Sequence, residues 1–456
     1  MGQWQKFGLW MFGAGLAPTA AIAHATDQAF VLLLPTDVYV AAGVATVALT
    51  VIALFALPES ATHRLFAHHA RPLRSESKWQ HLTSVVSFIL LAALIAIGIA
   101  GPRNPLENVL PLSFWTLGWV GLISLSGVFG NLWTWVNPWT GLYAWLAPTW
   151  KPWSLPNTLG FWPATVLLIA FTAFILADIA PDDPFRLAIF LCAYWCLTMV
   201  GLLFFGPEWL AHAELGRAIM KAYGKLTTRG ADGIGTPGWQ ILRPDTQAAV
   251  GIFALTLLAA GSFDGLNETF WWLGQIGVNP LEFPGRSAVI WQTLTGLTVA
   301  IVGLLLLFAA TVWLGLKIAG SNTPFAPVFG HLALCLLPIA LVYHISHYLT
   351  SFLVGIQYAV AAFNDPLNNG ADIFGIEPFR VTTGFFNRLD WVRTIWLTQA
   401  GLVVLGHVWS VLLSHRVALT LFPDGRRAAW ATLPLSIFMI AYTLLGLWLL
   451  AAPRGA

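Results

Sequence analysis

The chain is a succession of long apolar runs broken by short polar stretches. Runs of this kind approach the roughly 20 residues that a helix needs to cross a hydrocarbon core, so each predicts a transmembrane helix. About ten such spans stand out by that length rule, with cores at 38–57, 83–100, 112–129, 161–180, 185–205, 246–260, 287–316, 328–352, 391–413 and 430–450. Ahead of them lies a short polar start ending at Lys6, an apolar stretch from Phe7 to Ala17, then Pro18 and the small-residue run Ala21-Ile22-Ala23. That pattern predicts a cleavable signal peptide over 1–23, with His24 as the new amino terminus. The remainder, 24–456, reads as a single all-α domain, a polytopic integral membrane helical bundle.

Composition agrees and narrows the field. Only 9% of residues are charged, against about 25% in soluble domains, while 57% are hydrophobic and 24 Trp and 30 Phe supply aromatics for lipid contact and interfacial belts. A net charge of +2 from scattered basic residues excludes nucleic acid as a partner. The three cysteines, Cys192, Cys196 and Cys335, fall within apolar runs and read as small buried hydrophobes. The longest non-apolar stretches, 206–245 and 364–390, are too short for a soluble domain of their own.

Charge also orients the bundle, because cytoplasmic connections collect Lys and Arg. With the amino terminus outside, the odd-numbered connections are cytoplasmic. The first carries Arg64, Arg71, Arg74 and Lys78, the fifth Arg217, Lys221, Lys225, Arg229 and Arg243, and the ninth Arg416, Arg426 and Arg427. The even connections hold Asp182, Asp183, Asp264, Glu268, Glu282, Asp365, Asp372 and Glu377, with some arginines. The expected location is a bacterial cytoplasmic membrane, with the amino terminus in the periplasm.

Imidazoles and carboxylates inside hydrocarbon are costly and mark candidate chemistry. In Tyr343-His344-Ile345-Ser346-His347-Tyr348 the two histidines stand three apart, on one helical face. Such a pair can share a metal ion, flank a proton path, or bond across helices. His407 and Gln399 interrupt the ninth apolar run, whereas His331 and His415 read as structural residues near span ends. Asp264 and Glu268, followed by Trp271 and Trp272, end the sixth run; a carboxylate there suits a metal ligand, a general base or a simple turn. A terminal His24 would offer imidazole and amine nitrogens to copper or zinc. The Asn131-to-Asn157 segment, rich in Trp and Pro, predicts an interfacial or re-entrant element. Around Glu208, His212 and Glu214 the pattern predicts an amphipathic surface helix with Leu210, Ile219 and Tyr223 facing lipid. His68 and His69 read as a solvated loop. No Walker loop, no Gly-rich dinucleotide fingerprint after a predicted strand, and no HExxH, CxxCH or GxSxG motif occurs.

Taken together, Ala23-His24, Asn137-Pro138-Trp139, Glu214, Phe263-Asp264-Gly265-Leu266, His344 with His347 and Tyr348, Asp365-Pro366, and Gln399 with Gly406-His407-Val408 resemble the bacterial polytopic membrane proteins labelled fenitrothion hydrolase. The resemblance runs over most of the chain and implies cleavage of a lipophilic organophosphate triester. On that reading His344 and His347, with His407, His24 or Asp264, hold one or two divalent metal ions, zinc or copper, and Asp264 or Glu268 serves as bridging ligand or base. Trp271 and Trp272 would wall an aryl leaving group. The rival readings are a copper-handling permease or assembly factor, and a b-type haem protein ligated by His344 or His347 with His407. A partner subunit or a homo-oligomer is compatible with each.

Overall fold

Helices that are apolar on every face satisfy their backbone internally, pack one side against neighbours and turn the other to lipid. The computed structural model describes residues 31, 33–56, 59–71, 78–146, 152–156, 158–243, 247–279, 282, 285–422 and 424–454. The signal-peptide expectation and His24 lie outside them. In chain order the elements are α1 (Thr36–Ala56), α2 (Glu59–Leu65), β1 (His68–Ala70), α3 (Lys78–Ala100), α4 (Val109–Phe129), α5 (Trp133–Val136), α6 (Thr140–Leu146) and α7 (Trp162–Ala177). They continue with α8 (Pro184–Phe205), α9 (Pro207–His212), α10 (Leu215–Gly224), β2 (Gly233–Gly235), α11 (Ala248–Asn267), α12 (Phe270–Gln275) and α13 (Ile290–Ile318). The last are α14 (Phe325–Leu334), α15 (Leu337–Asn364), α16 (Leu389–Leu421) and α17 (Gly425–Ala451).

Among the described residues nine helical stretches are long and apolar enough to span a bilayer, with α14 and α15 counted as one, and α7 is a shorter apolar helix of 16 residues. The protein is thus an all-α polytopic membrane protein. The stretch formed by α14 and α15 is the most enclosed, followed by α11, whereas α1 and α3 are peripheral. Large apolar side chains such as Ile52, Ile89 and Leu306 point outward, where lipid replaces water.

The connections sort onto two ends. On one, β1 pairs antiparallel with β2, and His68 stacks on Trp239 with ring centroids 4.9 Å apart. There too Trp409 donates to the Pro237 carbonyl and Trp133 to Glu214. At the other end Arg103 pairs with Asp183, Asn368 bonds Glu107, and Thr269 bridges Arg454. Odd connections meet odd, and even meet even, as alternating spans require.

Three local expectations need correction. Cys192 and Cys196 are exposed and only Cys335 is buried, because α8 is apolar all round and one of its faces looks outward. Leu210, Ile219 and Tyr223 do not face lipid: each is buried against protein. The helix α10 is amphipathic, but its apolar side closes the end of the bundle. It is anchored by Glu214, which caps it by accepting from the Gly216 and Arg217 amides, Trp133 Nε1 (2.6 Å) and Tyr194 Oη (2.9 Å). Burial pushes the Glu214 carboxyl above its ordinary range, against the pull of these four donors. Finally, His68 and His69 are exposed but lie in the strand β1.

Candidate active site

The site is built by α15 crossing α11. The 3.6-residue period of α15 lines up Tyr343 with His347 and His344 with Tyr348, so four polar rings crowd one side of the helix. Opposite them Asp264 stands three residues before the last residue of α11. A side chain at Gly265 would collide with Tyr343 Oη, so glycine lets the two helices close at this level.

Asp264 Oδ2 accepts from Tyr348 Oη (2.5 Å) and lies 3.1 Å from His347 Nε2. A carboxylate only accepts, so the facing imidazole nitrogen carries a proton, and in the neutral ring Nδ1 is then the lone-pair nitrogen. His347 Nδ1 is buried with no hydrogen-bond partner among the described residues, as is Tyr343 Oη on the same face. The ring of Tyr343 stacks parallel to His347 at 5.8 Å. His344 donates from Nε2 to the Trp119 carbonyl (2.9 Å). Trp119 belongs to the π-helical part of α4, Leu112–Leu122, a widened turn pattern common at functional sites.

Asp264, Tyr343, His344, His347 and Tyr348 all line one cavity of about 40 Å³, whose opposite wall is Leu168, Thr172, Ile175 and Leu176 of α7. That volume accommodates about three or four waters by the minimum each one needs. The cavity joins an oriented imidazole, a buried carboxylate and space for water: an arrangement suited to moving a proton.

The other candidate residues sit elsewhere. Glu268 is exposed, just past the end of α11 and off the cavity. His407 is buried, donates from Nδ1 to the Val403 carbonyl of its own helix (2.8 Å), and does not line the cavity. Its Nε2 has no partner among the described residues. His331, expected near a span end, is buried and bonds the Ile241 carbonyl. Gln399 and Ser346 exchange bonds that tie α16 to α15. Trp271 and Trp272 do not wall the cavity: Trp271 is exposed, and Trp272 packs edge-on against Phe263. The sequence reading did not single out Trp119, Tyr343 or α7 as parts of the site. The i, i+4 spacing of Tyr343 from His347 was the available signal; nothing marked the other two.

The fit to a metal follows from the donors. Asp264 and His347 are close enough to share an ion, but Nε2 of His344 is committed to a carbonyl and His407 is off the cavity. Among the described residues no three His, Cys, Asp or Glu side chains converge as a ligand set. The arrangement fits a hydrogen-bonded acid–base pair better than a metal centre. No family model, curated protein or solved structure matches the chain.

Proposed function

We propose that the protein is a membrane-embedded hydrolase in which the Asp264–His347 pair activates water against a lipophilic ester. Organophosphate triesters are the substrate class suggested by the resemblance to fenitrothion hydrolases. The observation that carries this reading is the buried Nδ1 of His347, without a partner among the described residues, on the ring whose other nitrogen is held by Asp264 beside a water-sized cavity.

In this scheme a cavity water gives one proton to His347 Nδ1 as its oxygen attacks phosphorus. The bond from phosphorus to the aryl oxygen breaks, and the imidazolium returns the proton to the departing phenolate. The products are a phenol and a dialkyl phosphate or thiophosphate. Asp264 stabilises the charge that develops on the ring, and Tyr348 fixes the carboxylate. The cavity suits water and not an aryl ester, so substrate entry requires α7 to move away from α11 and α15. Following the charge bias, we place the even connections, and with them the Asp264 end of α11, on the periplasmic side of a cytoplasmic membrane.

The test is hydrolysis of a nitrophenyl phosphotriester by the detergent-purified chain, beside His347→Gln and Asp264→Asn. Elemental analysis and an optical spectrum are taken on the same samples. The expected result is a loss of about 100-fold or more in kcat for each variant, the usual scale of a general base, with both variants folded. Unchanged rates would overturn the assignment. Stoichiometric zinc or copper lost in His347→Gln or Asp264→Asn would replace the acid–base scheme by a metal site, and a haem spectrum would replace it by electron transfer.

A further inference from the structure

On its α7 side the Asp264 cavity is separated from the outer surface of the bundle by the thickness of one helix. Leu168, Thr172, Ile175 and Leu176 of α7 line the cavity, while Val166 and Ile169, on another side of the same helix, are 61% and 37% exposed. With 16 residues, α7 is shorter than any of the spanning stretches. Separating apolar helices in a bilayer costs little in hydrophobic terms, because a lipid tail replaces the neighbour that is lost. Polar ties at the helix ends therefore weigh more on the position of α7 than they would in water.

Such a tie is made at the end of α7 that lies beside Asp264. Arg286, in the turn ahead of α13, donates from Nη1 to the Ile175 carbonyl (2.7 Å). That carbonyl is among the last four of α7, which a helix leaves without partners of its own, and a cation there complements the negative end of the helix dipole. The charge of Arg286 also acts on Asp178, the residue that ends α7 and takes two bonds from Arg186 of α8. Ile175 thus carries both functions: its side chain lines the cavity and its backbone is held by Arg286.

We propose that α7 is a lateral gate between the bilayer and the Asp264 cavity, latched by the bond from Arg286 to the Ile175 carbonyl. Release of the latch lets that end of α7 move away from α11 and α15 and admits a lipophilic molecule from the membrane. The gate rests on the hydrolytic reading for its purpose, since it supplies the entrance that substrate needs. Its test involves no turnover, so the two readings fail separately.

The test is the rate at which N-ethylmaleimide modifies a thiol placed on the cavity wall by Thr172→Cys, in the full chain reconstituted into lipid vesicles. The Thr172 hydroxyl bonds only within α7, to the Leu168 carbonyl, so this change breaks no tie between helices. Exposed Cys192 and Cys196 are replaced by serine, and buried Cys335 is kept as an internal reference. Mass spectrometry of peptides reads the two thiols separately. The expected result is slow modification at position 172, accelerated about tenfold by Arg286→Ala, the scale of 1.4 kcal/mol in an open–closed equilibrium, with Cys335 unchanged. Arg286→Gln, which keeps an N–H donor, should accelerate it less. Equal rates at position 172 with and without the Arg286 substitutions would overturn the proposal. So would matching acceleration at Cys335, since the whole bundle would then have loosened.

Discussion

At the scale of single residues, chemistry in a membrane interior depends on which hydrogen bonds are made and which are left open. Asp264 is bonded on one oxygen by both Tyr348 and His347, so neither partner is redundant. Tyr348→Phe removes a charge-assisted bond while leaving ring packing intact. The expected cost is about 1–2 kcal/mol of stability, with a roughly tenfold lower hydrolysis rate as the carboxylate loses orientation. Thermal unfolding in detergent and the phosphotriester assay measure the two effects. A stable variant with full activity would show that Tyr348 merely fills space. The histidine pair was legible in the sequence because an i, i+3 spacing always places two side chains on one face. Their different fates were not legible: His344 is drawn to a carbonyl of α4 and His347 to a carboxylate of α11, partners that are distant in sequence.

At the scale of elements, the junctions between helices hold charges that the spans cannot. Asp178 ends α7 and takes two bonds from Arg186 in the first turn of α8, at 2.6 and 3.2 Å. Burial alone would raise its carboxyl, but the Arg186 guanidinium, the Ala180 amide and the charge of Arg286 together outweigh that and hold it below the usual carboxylate range. A carboxyl depressed in the folded state binds protons more weakly there than when unfolded. Its contribution is therefore present above the ordinary value of 3.8 and lost as pH falls below it. The melting temperature of wild type should drop more steeply than that of Asp178→Asn between about pH 5 and pH 3; parallel curves would show the pair to be idle. The helix positions themselves were readable as apolar runs, but some helices run well past their apolar cores, α15 to Asn364 and α16 to Leu421, because hydropathy reports the length in hydrocarbon and not where the helix ends. The packing of α10 was misread because amphipathicity reports that a helix has an apolar side, not whether lipid or protein covers it.

For the whole molecule, contacts among connections divide it into two ends. Cysteines introduced in place of His69 and Arg286, in a background without the native cysteines, should react with an impermeant maleimide from opposite faces of sealed vesicles. Labelling from one face would break the alternating topology. Long apolar runs, scarce charge and the bias of Lys and Arg were enough to determine an all-α membrane bundle and its sidedness as an expectation, because the bilayer acts on each helix separately through hydropathy. Pairings between helices carry no such local signature. Only the tertiary structure decided that Asp264 meets His347 and Tyr348, that His407 stands apart, and that α7 walls the cavity. It also decided that Trp272 lines an outward-facing groove instead of the Asp264 cavity, since these depend on which faces of different helices pack together.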